Sequence, residues 1–149
     1  MNKEIALIII TNKDKDLFYI QQKDDTHPIR KYREKYSFFG GSIEAGESAT
    51  MAINRELSEE LEYFAYSKIK DKIIDGFVIN LNSKDRKLSD ITLHFYFAIL
   101  TNKDLTEISK RNIKEGKRGI LVDRIKLSSL QFIRCLNKLV LGRVFPQSK

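Results

Sequence analysis

A chain of 149 residues, 42% apolar and 32% charged, has the size of one globular domain; two would be cramped, and its aliphatic and aromatic content excludes disorder. The formal charge of +7 favours anionic partners without naming one, and basic residues spread along the whole chain argue against a dedicated nucleic-acid patch. A single cysteine, Cys135, rules out an internal disulfide and suits a reducing compartment, so a cytoplasmic location is expected.

In chain order, Glu4–Ile10 is a continuous β-branched apolar run, the pattern of a strand buried on both faces. Its apolar stretch Ile5–Ile10 is too short to cross a bilayer or to form a signal-peptide core, so no membrane partner is expected. A polar turn over Thr11–Asp16 leads to a second strand, Leu17–Gln22. Residues 23–36 are charged and irregular around His27-Pro28, and read as a long exposed loop of the kind that often carries function. After Phe38-Phe39-Gly40-Gly41 and a polar loop, a helix is expected from about Ser48 to Tyr63. Ser48 is its N-cap, and Ala49, Ala52, Ile53, Leu57 and Leu61 stand at helical spacing. Strands Ile73–Asn80 and Ile91–Leu100 follow, separated by a polar loop over Leu81–Asp90. A strand at Gly119–Asp123 then precedes an amphipathic C-terminal helix from about Ser128 to Leu141, where the periodicity makes Cys135 a packing residue. Strands on both sides of a central helix, closed by a second helix, predict the α/β class, an α/β/α sandwich around a mixed β-sheet, as one domain over residues 1–149.

The segment Gly41–Tyr63 carries the chemistry. On a helix advancing roughly 100° per residue, Glu56 and Glu60 share one face and Glu59 flanks them. Glu60 projects between Ala49 and Ile53, inside the apolar stripe, and Glu56 lies at its edge. Two carboxylates turned toward the protein body repel each other and are costly to bury. Either nearby lysines and arginines satisfy them, or a divalent cation does; Mg2+ favours oxygen ligands and retains waters and substrate phosphates.

The spacing of Gly41, Glu47, Arg55, Glu56, Leu57, Glu59 and Glu60 resembles the Nudix box, and a chance match at those positions is on the order of one in a million. One departure is Glu62, which stands where the box has its late glycine. The helix must therefore leave by another geometry or run on by a turn. The resemblance implies a Nudix-like fold in which Glu56, Glu60 and the Gly41 carbonyl ligate the metal. Glu59 would be a further ligand or act through water in the catalysis, and Glu47 and Arg55 would pair to orient loop and helix. The implied cofactor is Mg2+, with Mn2+ able to replace it. A loop acid after the long strand would serve as base or extra ligand; Glu115 is the first candidate and Glu107 the second, each equally readable as a solvated acid.

The implied substrate is a nucleotide-like small molecule. It would be a nucleoside diphosphate linked to another moiety, such as a (deoxy)nucleoside triphosphate, ADP-ribose or a nucleotide sugar, cleaved at a phosphoanhydride bond. Nucleic acid enters only as capped or 5'-phosphorylated RNA, and a homodimer is compatible with the resemblance. The alternatives are a non-catalytic Nudix-like sensor module and an RNA-associated protein. The complete acid set, Glu56, Glu59 and Glu60, separates the hydrolase from a degenerate module. Arg30, Lys31, Arg33 and Lys35 either hold phosphates or form a solvated run; Tyr36, Phe38 and Phe39 either stack on a base or fill the core. His27 and His94 are isolated, so no histidine metal site is expected.

Overall fold

The computed structural model of the chain describes residues 2–82 and 90–145, so most of the expected Leu81–Asp90 loop lies outside the described residues. Among the described residues, seven strands form one mixed sheet: β1 (Asn2–Thr11), β2 (Leu17–Gln22), β3 (Tyr36–Ser37), β4 (Phe39–Ser42), β5 (Ile73–Leu81), β6 (Asp90–Ile99) and β7 (Arg118–Asp123). Their order is β3-β2-β1-β6-β5, with β4 also paired to β1 and β7 to β2. β1 and β6 run parallel from Asn2↔Asp90 to Thr11↔Ile99, and the other pairs are antiparallel.

The apolar run in β1 explains the layering, because successive side chains of a strand point to opposite faces. Ala6, Ile8 and Ile10 pack into a core with α1 (Ala49–Glu60), α2 (Tyr63–Ile69) and α3 (Asn102–Ser109). Ile5, Leu7 and Ile9 pack on the other side with α4 (Arg124–Ser129) and α5 (Leu136–Val144). Ile8 is fully buried, so Ile8→Ala is expected to cost about 2–5 kcal/mol. Phe38 and Phe39 belong to these two cores, one to each, which decides between packing and base stacking for that pair. Among the described residues, no helix is long and apolar enough to cross a membrane.

Three expectations need correction. The box helix stops at Glu60, not Tyr63: Leu61 (φ −111°, ψ 146°) and Glu62 (φ −65°, ψ 157°) are extended, and Glu62 stands at the N-cap of α2. Leu61 is pulled out of helical geometry by a β-bridge to Ile113, so this exit needs no left-handed residue and no glycine. α3 is a helix where none was expected; Thr101 caps it by accepting from the Asp104 amide at 3.1 Å, which puts Glu107 on a helix instead of a loop. The C-terminal helix is two helices. α4, capped by Asp123, ends at Ser129, and α5 starts only at Leu136 after Arg134 and Cys135 adopt left-handed backbone (φ 56° and 54°). The break turns Cys135 outward, so it is exposed and not a packing residue.

Candidate functional site

The site starts at the entrance to α1, where the Ser48 hydroxyl accepts the Met51 amide at 3.1 Å. From the second turn, Arg55 reaches back across the loop. Its Nε donates to Glu47 Oε2 at 2.7 Å and its Nη2 to Glu47 Oε1 at 3.0 Å, a two-pronged bond, while Nη2 also meets the Ser42 carbonyl at 3.0 Å. Arg55, and then the Glu44 amide, hold the Glu47 carboxyl below the usual carboxylate range. The expected Glu47–Arg55 pair is therefore present. Nη1 of Arg55 extends the cluster, donating to Glu56 Oε1 at 3.0 Å and to Glu59 Oε2 at 3.3 Å.

Glu60 has opposite surroundings. It is 1% exposed, as its place in the apolar stripe implied. The Gly40 amide donates to Oε1 at 2.8 Å, and the Gln21 side-chain amide donates to Oε2 at 2.6 Å. Among the described residues no lysine, arginine or histidine forms an ion pair with Glu60; Lys23 acts on it electrostatically. Burial wins: against Lys23, Gln21 and the Gly40 amide, and with help from Glu56, it pushes the Glu60 carboxyl up to about 7. The Glu56 carboxyl is also raised, by burial first, and then by Glu59 and Glu115 against the pull of Arg55.

The two glycines make this packing feasible. Gly40 sits at φ 133°, and a Cβ there would fall on the Ala6 carbonyl. A Cβ on Gly41 would meet the Glu56 carboxylate at 2.5 Å, so the bare backbone of Gly41 lies directly against that side chain. Among the described residues, no group of three or more His, Cys, Asp or Glu side chains is gathered closely enough to hold a metal ion. The donor set still fits a hard cation. It offers carboxylate oxygens from one helix, a buried glutamate with raised pKa and no ion-pair partner among the described residues, and Gly41 backbone alongside.

Around this centre, Glu115 is exposed in the loop before β7 and its charge is felt by Glu56. That loop is tied to the end of α1 by the Lys114 amide donating to the Glu60 carbonyl at 2.7 Å. Glu107 rides on α3. Of the basic run, Arg33 donates to the His27 carbonyl at 2.8 Å and Lys31 lies 5.4 Å from the Tyr32 ring centroid. His94 stands 3.1 Å from Glu4, on β6. Gln21 and Lys23 were not anticipated. Lys23 donates to Gln21 Oε1 at 3.3 Å, which fixes the amide so that its NH2 faces Glu60. The one available signal was a glutamine in an inward-facing position of β2. Gly40 and Gly41 help to line a cavity of about 190 Å³, together with the apolar Ile5, Leu7 and Leu93 and polar residues that include Lys3, Tyr32, Ser42 and Arg134.

The fold is similar to several solved structures. A MutT structure from work on the Aliivibrio salmonicida and Vibrio cholerae proteins shares 22% identity over 99% of this chain and 100% of that one, with a TM-score of 0.59. The Escherichia coli dihydroneopterin triphosphate pyrophosphohydrolase shares 17% over 94% and 92%, at 0.65. Shewanella oneidensis NrtR shares 15% over 96% of this chain and 61% of its own, at 0.58. No curated protein matches the sequence. The NUDIX domain model matches residues 1–118, the span that contains the sheet's first six strands, the glycine pair and all the box acids, and on that match the chain belongs to the Nudix family.

Proposed function

We propose that the chain is a Nudix pyrophosphohydrolase acting on a nucleoside diphosphate linked to a further group, with residues 1–149 as one domain. The observation that carries this reading is Glu60, a fully buried carboxylate with two hydrogen bonds and no ion-pair partner among the described residues. Leaving such a charge uncompensated is expensive, and the adjoining acids Glu56 and Glu59 make it more so. Mg2+, or Mn2+ in its place, held by Glu56, Glu59, Glu60 and the Gly41 carbonyl, would neutralise diphosphate charge and acidify a bound water. Arg55 must then share Glu56, to which it now donates at 3.0 Å.

The protein's own groups do the rest. Arg55 and Glu47 hold the end of β4 and the loop that follows it against α1, so that backbone and carboxylates face one space. Glu59 or Glu115 accepts a proton from the attacking water. Water oxygen then bonds to one phosphorus, the anhydride P–O bond breaks, and the departing phosphate keeps the electron pair. The nucleoside lies in the cavity that Gly40 and Gly41 help to line, next to the Gly41 backbone against which Glu56 packs.

The test is a panel of nucleoside triphosphates, ADP-ribose and nucleotide sugars with Mg2+ or Mn2+, run beside Glu60→Gln. Metal-dependent product release by the wild type and its near loss in Glu60→Gln is the expected result; equal turnover by both removes the acids from the mechanism. Nucleotide binding without turnover under either metal would favour a non-catalytic sensor module, the second reading, for which the likeness to NrtR, a protein also solved in complex with a 27mer DNA, is the motive.

A further inference from the structure

We infer that the surface formed by α4 and α5 docks on anionic lipid, a peripheral contact in which Ile125 enters the bilayer boundary. Basic residues are spread along the whole chain, but acidic ones are not. Residues 124–149 contain Arg124, Lys126, Arg134, Lys138, Arg143 and Lys149 and no aspartate or glutamate, which leaves 21 basic against 20 acidic residues in 1–123. Nearly all of the +7 therefore resides in one segment, and such a separation of charge points to an anionic surface as partner. The segment also lies past residue 118, where the match to the NUDIX domain ends.

The fold turns this charge outward and leaves it unbalanced. α4 and α5 pack on one face of the sheet through Leu127, Leu136 and Val140, and the Asn137 amide ties them by donating to the Leu127 carbonyl at 2.7 Å and the Leu130 carbonyl at 3.0 Å. Ile125 stands two positions from buried Leu127, and Lys138 two positions from both Leu136 and Val140. That is roughly 200° around the helix in each case, so both project away from the sheet. Arg124, Lys126, Lys138 and Arg143 are exposed. Among the described residues neither they nor Arg134 form an ion pair. Asp123, the neighbouring acid, accepts the Lys126 amide at 2.7 Å as the N-cap of α4. The arginines rest on rings instead: Arg124 lies 4.2 Å from the Phe145 centroid, Arg143 5.3 Å from Phe77 and Arg134 5.4 Å from Tyr32. A ring fixes a guanidinium without cancelling its charge.

Charge alone suits any polyanion; the apolar side chains choose among them. Ile125 is 81% exposed, more than any other large apolar side chain among the described residues, and it stands between Arg124 and Lys126. Leu139, also exposed, follows Lys138. Nucleic acid is read with aromatic rings or side-chain amides against its bases, and the exposed residues of α4 and α5 include neither. An aliphatic side chain flanked by cations fits a bilayer boundary, where it enters the acyl layer while the basic groups stay with the lipid phosphates. The contact needs no crossing segment, so the short Ile5–Ile10 run does not bear on it.

The test is co-sedimentation of the full chain with phosphatidylcholine vesicles that contain phosphatidylserine, beside vesicles of phosphatidylcholine alone and a single-stranded RNA oligonucleotide. Binding to the anionic vesicles should be at least about tenfold tighter than to the neutral ones, and should weaken as added salt screens it. The double variant Lys126→Gln, Lys138→Gln should bind them about 25-fold more weakly, about fivefold for each charge removed. Ile125→Ser, which leaves the charge intact, should bind them about tenfold more weakly. All three side chains are exposed, and a melting curve checks each variant; should one fail to fold, the other carries the test. No binding to anionic vesicles, equal binding to neutral ones, tighter binding of the RNA, or binding that a folded variant leaves unchanged overturns the inference. The readout does not depend on turnover, so failure of the hydrolase and failure of the lipid contact are told apart.

Discussion

Glu47 and Glu60 belong to one motif and sit at opposite ends of one electrostatic range. At the rim, Glu47 receives both prongs of Arg55 and the Glu44 amide, and its carboxyl titrates below its ordinary value. In the pit, Glu60 has two neutral donors and only the more distant charge of Lys23, and burial drives it up to about 7. The rim carboxylate is already satisfied by these donors, which tie the loop to α1. The pit carboxylate, once ionised, carries a charge that the fold does not balance, and that is the charge we propose a cation answers. Glu56 lies between, with one oxygen on Arg55 and its carboxyl raised.

The contrast makes Glu60→Gln the most damaging change to activity. Metal-dependent turnover should fall by about a thousandfold, while the metal-free protein at pH 8 melts no lower than wild type, because a buried charge has been removed. A turnover loss matched by a large drop in melting temperature would mean that Glu60 is structural. Arg55→Ala should cost about 10- to 100-fold in turnover, and unlike Glu60→Gln it should also lower the melting temperature, since loop and helix lose their tie. Gln21→Leu comes next. Without its amide the Glu60 carboxylate is worse oriented, and half-saturation with Mn2+, followed by its EPR signal, should need about tenfold more metal. Unchanged Mn2+ affinity would make Gln21 a packing residue.

How much of this could be read from sequence depended on the range of the forces involved. β1 was readable because six branched or aliphatic residues in a row admit one explanation, and the first turns of α1 because Ser48 and the apolar spacing are local. The inward turn of Glu60 followed from the wheel. The partners of Glu60 did not, since Gln21 lies 39 residues away and is brought in by β2. The end of α1 misled for the same reason: Leu61 fits the helical spacing, and only the bridge to Ile113 shows that it is extended. The C-terminal break has no proline or glycine to announce it; Arg134 and Cys135 are bent by the packing on either side. α3 offered only Leu105 and Ile108 behind its Thr101 cap, too little periodicity to separate it from a loop.

A smaller effect, but one with a definite sign, lies in the pH dependence of metal-free stability. Glu60 keeps its proton up to about 7 in the folded state, whereas the ordinary value is 4.5. Between those limits the folded form binds more protons than the unfolded one, so stability falls as pH rises from about 4.5 to about 7 and levels off above. Glu47 acts in the other direction and in a lower window: its contribution is present above its ordinary value and is lost as acid protonates it through its depressed folded value. Thermal melts across pH should therefore show two slopes of opposite sign. Glu60→Gln should reduce the upper slope to the part that Glu56, whose carboxyl is also raised, contributes and should spare the lower; Glu47→Gln should spare the upper and flatten the lower. Saturating Mg2+ should invert the upper slope, because the cation binds only the carboxylate form and so stabilises the fold most where Glu60 is ionised. An upper slope that is undiminished in Glu60→Gln, or that excess Mg2+ leaves unchanged, would mean that the charge in the pit is not the one the cation answers.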